Sequence, residues 1–183
     1  MGAVHIRRAT AEDAAFIADT YRPFVDDHFA SFEQIAPGPE DIAARIDAAG
    51  DLYPWLIAED EAPLAYAYAS AHRTRAAYQT SVDTAIYAAP NARGKGVGHL
   101  LYTRLLALLT RQNFIMAFAG IVTPNDASIA LHRGVGFERI GTYPNVGFKH
   151  GAWRETTWWS RALAEPQTPP AEILPVSHVV DTP

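Results

Sequence analysis

Apolar positions recur along this chain with two periods, and the places where the period changes mark its elements. Residues 4–8 read as an edge strand, after which Thr10 stands as a helix cap through Ala11-Glu12-Asp13, with Phe16 and Ile17 carried inward. Between Pro23 and Pro39 the aromatic residues Phe24, Phe29 and Phe32 fall among carboxylates without a clear period, which predicts a loop or broken helix. Pro39 opens a second helix over about 40–49 (Ile42, Ile46), and Gly50 stops it. Strands at 54–58, 64–70 and 80–88 follow as an antiparallel meander, the first two joined by the turn Glu59 to Pro63. Beyond them Val97, Leu101, Leu105 and Leu108 recur at helical spacing, with Arg104 and Arg111 on another face. A short apolar strand at 116–122, a helix opened by Asn125 and ended by Gly134 and Gly136, and two closing strands within 138–163 complete the pattern. From Ala164 onward prolines displace large apolar residues and no packed element is expected. The chain thus reads as one domain, 1–163, with a proline-rich tail at 164–183.

Composition narrows the class. A length of 183 residues with 49% hydrophobic and 19% charged residues suits one domain with a full core. No stretch approaches a membrane span and the first residues lack the apolar core of a signal peptide, so a soluble cytoplasmic protein without membrane partners is expected. The absence of cysteine excludes disulfides, thiolate metal sites and a cysteine nucleophile. None of the seven histidines lies within one helical turn of another, so no metal is expected. A net charge of −5 without a long basic run argues against nucleic acid and for small-molecule partners.

The run from Asn91 to Leu100 places a strand, a glycine-rich turn and a helix in succession, which is the architecture of an anion site. Glycine lets a phosphate approach the backbone, amide hydrogens and the helix N-terminus converge on it, and Arg93 and Lys95 add charge. A Walker loop would need Ser or Thr where Gly96 stands, and a dinucleotide fingerprint from Gly94 would need glycine where His99 stands. The remaining pattern, Arg93-x-x-Gly96-x-Gly98, resembles the pyrophosphate loop of the GCN5-related N-acetyltransferases; a glycine-rich connection without ligand is the alternative. Strand alternation puts Asp83 and Tyr87 on one face of the strand at 80–88, where a carboxylate is either paired with a neighbour or faces a pocket. Asn125, Ser128 and His132 form a polar stripe on their helix, although capping alone accounts for Asn125 and a lone histidine is commonly structural.

From about Phe29 to Leu163 the chain resembles the phosphinothricin N-acetyltransferase branch of that family. The ordered motifs are Ser31-Phe32-Glu33, Arg73-x-Arg75-x-x-Tyr78, Val82-Asp83-x-x-Ile86-Tyr87, Arg93 to Gly98, Pro124-Asn125-Asp126-x-Ser128, Leu131-His132 and Gly147-Phe148-Lys149-His150-Gly151-x-Trp153. The resemblance implies an α/β fold: a mixed, mostly antiparallel twisted sheet whose central strands splay, flanked by helices on both faces. It implies acetyl-CoA as co-substrate, its pantetheine and thioester on the backbone of Ile86, Tyr87 and Ala88. Its diphosphate would lie on Arg93, Gly94, Lys95, Gly96, Val97 and Gly98, with Asn125 and Ser128 along the CoA arm. Phe32, Arg73, Arg75, Tyr78 and Tyr87 would line the acceptor pocket, and two guanidinium groups suit a small acid of the phosphinothricin, methionine sulfoximine or methionine sulfone type. Without the family, the arginines read equally well as a solvated hairpin end.

An ammonium must lose a proton before it can attack a thioester, so a base is needed near the acetyl carbon. Asp83 is the expected base, directly or through water, with His132 orienting that water or carrying a second proton. The amide of Tyr87 or Ala88 would polarise the carbonyl. The family more often has glutamate in place of Asp83, whose arm is one methylene shorter, about 1.5 Å. A homodimer is expected from the resemblance and the aromatic closing strands. The rivals are acetylation of a protein N-terminus or polyamine, and acyl-CoA binding without turnover.

Overall fold

The computed structural model describes residues 3–179. Seven strands, β1 (His5–Arg8), β2 (Trp55–Glu59), β3 (Pro63–Ala71), β4 (Ser81–Ala88), β5 (Met116–Val122), β6 (Glu138–Lys149) and β7 (Ala152–Ala162), form one sheet in the order β1-β2-β3-β4-β5-β7-β6. Every pairing is antiparallel except β4 with β5. Four α-helices cover it, α1 (Ala14–Asp26), α2 (Pro39–Ala49), α3 (Val97–Arg111) and α4 (Asp126–Gly134). Among the described residues no helix is long and apolar enough to cross a membrane.

Alternation along β3 decides which helix packs where. Ala65, Ala67 and Ala69 point to one face, and their small side chains leave room for Leu101, Leu105 and Leu109 of α3. Tyr66 and Tyr68 point to the other face, where Tyr66 is buried with Ile17, Ala18 and Val25 of α1 and Ile42 of α2. In β4 the same rule sends Val82 and Ile86 toward α3 and Tyr87 toward α1. Helices therefore flank both faces, as expected.

The parallel pair sets the site. β4 and β5 are in register only from Ser81–Asp83 against Met116–Phe118. Beyond that β4 stays with β3 as far as Ala65 opposite Ala88, while β5 stays with β7 as far as Val122 opposite Thr156. The two central strands thus part just past Asp83, leaving backbone groups on both sides of a V-shaped opening.

Two stretches depart from the sequence expectation. The segment beginning at Pro23 is not a loop at its start, because α1 continues through that proline to Asp26. Proline in this position forfeits only the bond to the carbonyl of the exposed Asp19, while the turn it sits in buries Val25. The tail does pack. Leu174 N–H donates to Gln112 O (2.9 Å), the buried Gln112 Nε2 donates to Leu174 O (2.8 Å), and Val176 N–H donates to Asp51 O (2.7 Å). Val176 is fully buried, with Ile173 and Val179 packed against the same core. Isolated apolar residues among prolines show no period, so their docking by backbone bonds leaves no pattern in the sequence. Residues 180–183 of the predicted tail lie outside the described residues.

Candidate active site

The turn between β4 and α3 is shaped by its glycines. Gly94 (φ +73°) and Gly96 (φ +79°) are left-handed, and a Cβ on either would meet nothing within 4 Å. The first helical bond runs from Leu100 N–H to Gly96 O at 3.1 Å, so the amides of Val97, Gly98 and His99 have no carbonyl one turn back. Gly98 and His99 line a cavity of about 550 Å³ that continues into the gap between β4 and β5. A Cβ on Gly98 would stand 3.5 Å from Leu131 and 3.8 Å from Ile86, so glycine keeps this end of the cavity clear.

Of the residues expected to hold the cofactor, Ile86, Tyr87, Ala88, Arg93, Gly94, Gly96, Gly98, Asn125 and Ser128 line that cavity. Arg93 lies over the ring of Phe24 at 5.5 Å, which draws its guanidinium across the mouth. Lys95 is exposed and is not part of the lining, and the Val97 side chain is buried in the core, leaving its amide as the useful group. Asn125 caps α4 by accepting from Ser128 N–H at 3.1 Å. The residues after α1 that showed no period, His28, Phe29 and Ala30, close the opposite wall. The same segment is pinned by the buried Lys149, whose Nζ donates to Ser31 O (2.8 Å) and Glu33 O (2.6 Å). Burial pushes that ammonium below its ordinary range.

His132 also lines the cavity, from the α3 side of the sheet. With Nδ1–H donating to the Ser128 carbonyl (2.7 Å), Nε2 accepts from the Tyr102 hydroxyl (3.1 Å), which bonds Thr84 Oγ1 (2.7 Å). Burial lowers the His132 pKa, outweighing the pull of the Ser128 carbonyl, so the ring is neutral near pH 7. Tyr102 and Thr84 were not singled out from sequence: Tyr102 sits among leucines on the buried stripe of α3 and reads there as core.

Asp83 sits elsewhere. Thr84 faces Tyr102, so the adjacent Asp83 faces the other way, toward the α1 side. It does not meet His132. Its Oδ1 bonds Nδ1 of His72 at 2.6 Å, and the His72 ring stacks on Phe118 at 4.3 Å. Burial raises the Asp83 pKa above the usual carboxylate range, while His72 and, more weakly, Arg73 pull it back. Of the predicted acceptor residues, Arg73 and Tyr78 meet this pair, and no contact joins Arg75 or Phe32 to it among the described residues. Tyr78 meets His72 edge-on at 6.0 Å, and Arg73 lies over Trp158 at 5.9 Å while donating to His72 O. Arg75 is exposed at the start of the short helical turn Ala76–Tyr78. Phe32 packs on Gly147 so closely that a Cβ there would fall 2.5 Å from its ring. Tyr87 connects the two regions, lining the cavity while packing against Tyr21, Phe24 and Tyr66.

The site thus combines left-handed glycines before a helix N-terminus, a gap between parting strands and a half-buried carboxylate at the last paired rung. The model of the acetyltransferase (GNAT) family matches residues 17–137. The chain belongs to that family. Over 177 residues, 96% of each chain, this acetyltransferase is 34% identical to a phosphinothricin N-acetyltransferase of Streptomyces viridochromogenes. It is also 33% identical to an L-methionine sulfoximine/L-methionine sulfone acetyltransferase of Pseudomonas paraeruginosa, over 90% of this chain and 98% of that one. Among solved structures it is similar to a phosphinothricin acetyltransferase of Sinorhizobium meliloti in complex with AcCoA (TM-score 0.85, 38% identity, covering 97% of this chain and 96% of the other).

Proposed function

We propose that this acetyltransferase moves an acetyl group from acetyl-CoA to the amino group of a small anionic amino-acid-like acceptor, by direct attack in a ternary complex. The acceptor class is that of phosphinothricin, methionine sulfoximine and methionine sulfone. The observation that carries the reading is the parting of β4 and β5 immediately beyond Asp83, which opens a cavity from the glycine loop along Thr84 to Ala88, the residues that directly follow that half-buried carboxylate. Likeness over nearly the whole chain to enzymes named for those acceptors supports the substrate class.

The residues fit the carrier. Positive-φ glycines with open space above them and free amides at the start of α3 suit a diphosphate, with Arg93 at the mouth. The edge of Ile86 to Ala88 that β5 leaves without a strand partner suits the amides of a pantetheine arm. Bound acetyl-CoA supplies the activated acyl carbon. Asp83 takes one proton from the acceptor ammonium, leaving a lone pair on nitrogen, and an amide of β4 near Tyr87 or Ala88 polarises the acyl oxygen. His132 serves the cavity from the opposite side of the sheet as a second proton carrier. Arg73, Arg75, Tyr78, Tyr87 and Phe32 bound the acceptor. Additional hydrogen-bonding capacity lies on one face of β7, where Arg154 Nε, Thr156 Oγ1 and Trp158 Nε1 are buried without a hydrogen-bond partner among the described residues. A homodimer, acting in the cytoplasm, belongs to the same proposal; exposed Phe148 (54%) and Trp153 (63%) on the β6–β7 hairpin support the association.

The test is thiol release from acetyl-CoA with a panel of acceptors. Saturable release with the anionic amino-acid analogues, and little with a polyamine or a peptide N-terminus, is expected; turnover confined to the latter two would overturn the substrate class. Arg75→Ala should raise KM for the anionic acceptor roughly tenfold, the worth of one charge-assisted contact, and leave KM for acetyl-CoA unchanged.

A further inference from the structure

Asp83 does not stand alone at the apex of the opening. We propose that His72 is a positioning residue for the proton acceptor: its Nδ1–H holds Oδ1 of Asp83, so that Oδ2 is the oxygen presented to the acceptor amine. The proposal rests on the reading of Asp83 as the base.

A carboxylate can only accept, so Nδ1–H of the ring is the donor in the 2.6 Å bond. The ring is itself held. It lies nearly flat on Phe118 of β5 (4.3 Å, 20° between planes) and meets Tyr78 and Trp158 edge-on at 6.0 and 6.4 Å. Phe118 is the register partner of Asp83, so His72 spans the last paired rung before the strands part. Accessibility assigns the roles within the pair, since the His72 side chain is 12% exposed and that of Asp83 is 31%. The imidazole is packed away and the carboxylate is the more accessible of the two. One proton then passes from the ammonium nitrogen to Oδ2, giving a neutral amine and a neutral carboxyl, while Oδ1 keeps its bond to His72. Fixing the arm suits an aspartate, whose short reach leaves little tolerance for a wrong rotamer.

The charge balance around Asp83 makes the role measurable. His72 and Arg73, both just past β3, are the groups that favour the carboxylate; Tyr68 of β3 is a neutral phenol near it; Phe118 of β5 and Ser70, its partner on β3, bring no charge. Burial acts against them and is the larger influence. Without the His72 donor the carboxyl therefore holds its proton to higher pH, and activity is lost first on the acid side.

The experiment compares kcat across pH for full-length wild type, His72→Leu, His72→Asn and Asp83→Asn with one accepted amine; each ratio to wild type cancels the acceptor's own titration. Leucine keeps the apolar contact with Phe118, and the asparagine amide can place N–H where Nδ1–H was. His72→Leu should fall at least about tenfold below wild type on the acid side and approach it on the alkaline side, with His72→Asn restoring the acid side. Calorimetric acetyl-CoA binding, to which His72 makes no contribution, reports that each variant is folded. A His72→Leu ratio independent of pH, or a His72→Asn variant as defective as His72→Leu, overturns the role of His72 while a large loss in Asp83→Asn leaves the base reading standing. Full activity of Asp83→Asn at every pH overturns the base reading itself.

Discussion

Replacing Asp83 by asparagine lowers kcat by about 10²–10³ at saturating acetyl-CoA, with KM for acetyl-CoA unchanged. Asparagine has the shape of aspartate and keeps a carbonyl for the His72 N–H, so the substitution removes basicity and little else. The cofactor cavity lies along Ile86 to Ser128, and Asp83 is not part of its lining, which is why binding of the carrier should survive. The deficit should shrink as the pH rises, because solution then supplies the acceptor as free amine and the base is no longer needed. In wild type the acid limb follows from burial: the Asp83 carboxyl titrates above the ordinary carboxylate range, so activity falls as pH drops through that raised value. Steady-state kinetics across the acid and alkaline range, with wild type and Asp83→Asn both checked for acetyl-CoA binding, would measure this. If Asp83→Asn retained full kcat throughout, the proton would be taken elsewhere, with His132 the first alternative because it reaches the cavity from the other face.

Gly96→Val should raise KM for acetyl-CoA about a hundredfold and leave kcat at saturation within a few-fold of wild type. Gly96 sits at φ +79°, a conformation that a β-branched residue adopts only at a cost of roughly 1–2 kcal/mol or more. Relief of that strain turns the peptide that leads into α3 and misdirects the amides of Val97, Gly98 and His99. Each charge-assisted bond to a phosphate is worth about 1.5–3 kcal/mol, so partial loss of two accounts for the expected factor. Space is not the obstacle, since a Cβ at Gly96 meets nothing within 4 Å, and the folded domain should persist with a modest loss of stability. Calorimetric titration with acetyl-CoA separates binding from turnover; an unchanged affinity would mean that the diphosphate is held elsewhere.

The parts of the fold that were legible in the sequence are those governed by local periodicity. The meander, the helix from Val97 and the glycine turn are found where alternation, leucine spacing and glycine placement put them. The resemblance, and not any period, carried the splay of the central strands. Four features stayed hidden for physical reasons. Helix α1 passes Pro23 because its turn still buries Val25, a tertiary gain that a local rule does not see. The tail docks through main-chain bonds to Gln112 and Asp51, which leave no side-chain pattern. At the site, Asp83 and His132 were expected to cooperate, yet alternation about Thr84 sends them to opposite faces. Strand periodicity assigned Asp83 its face but could not say which face α4 would cover. His72 was missed because its partnership depends on the β3–β4 register: Ser70 opposite Asp83 places the end of β3 beside the carboxylate, and that register is a non-local fact.

The most direct measurement is a crystal structure of the acetyl-CoA complex. The diphosphate is expected on the amides from Gly94 to His99, the pantetheine bonded to the backbone of β4 between Ile86 and Ala88, and the thioester ending beside the parting of β4 and β5, within reach of an amine held at Asp83. Acetyl-CoA bound on the outer surface, or threaded through the cavity with its thioester directed away from Asp83, would contradict that placement.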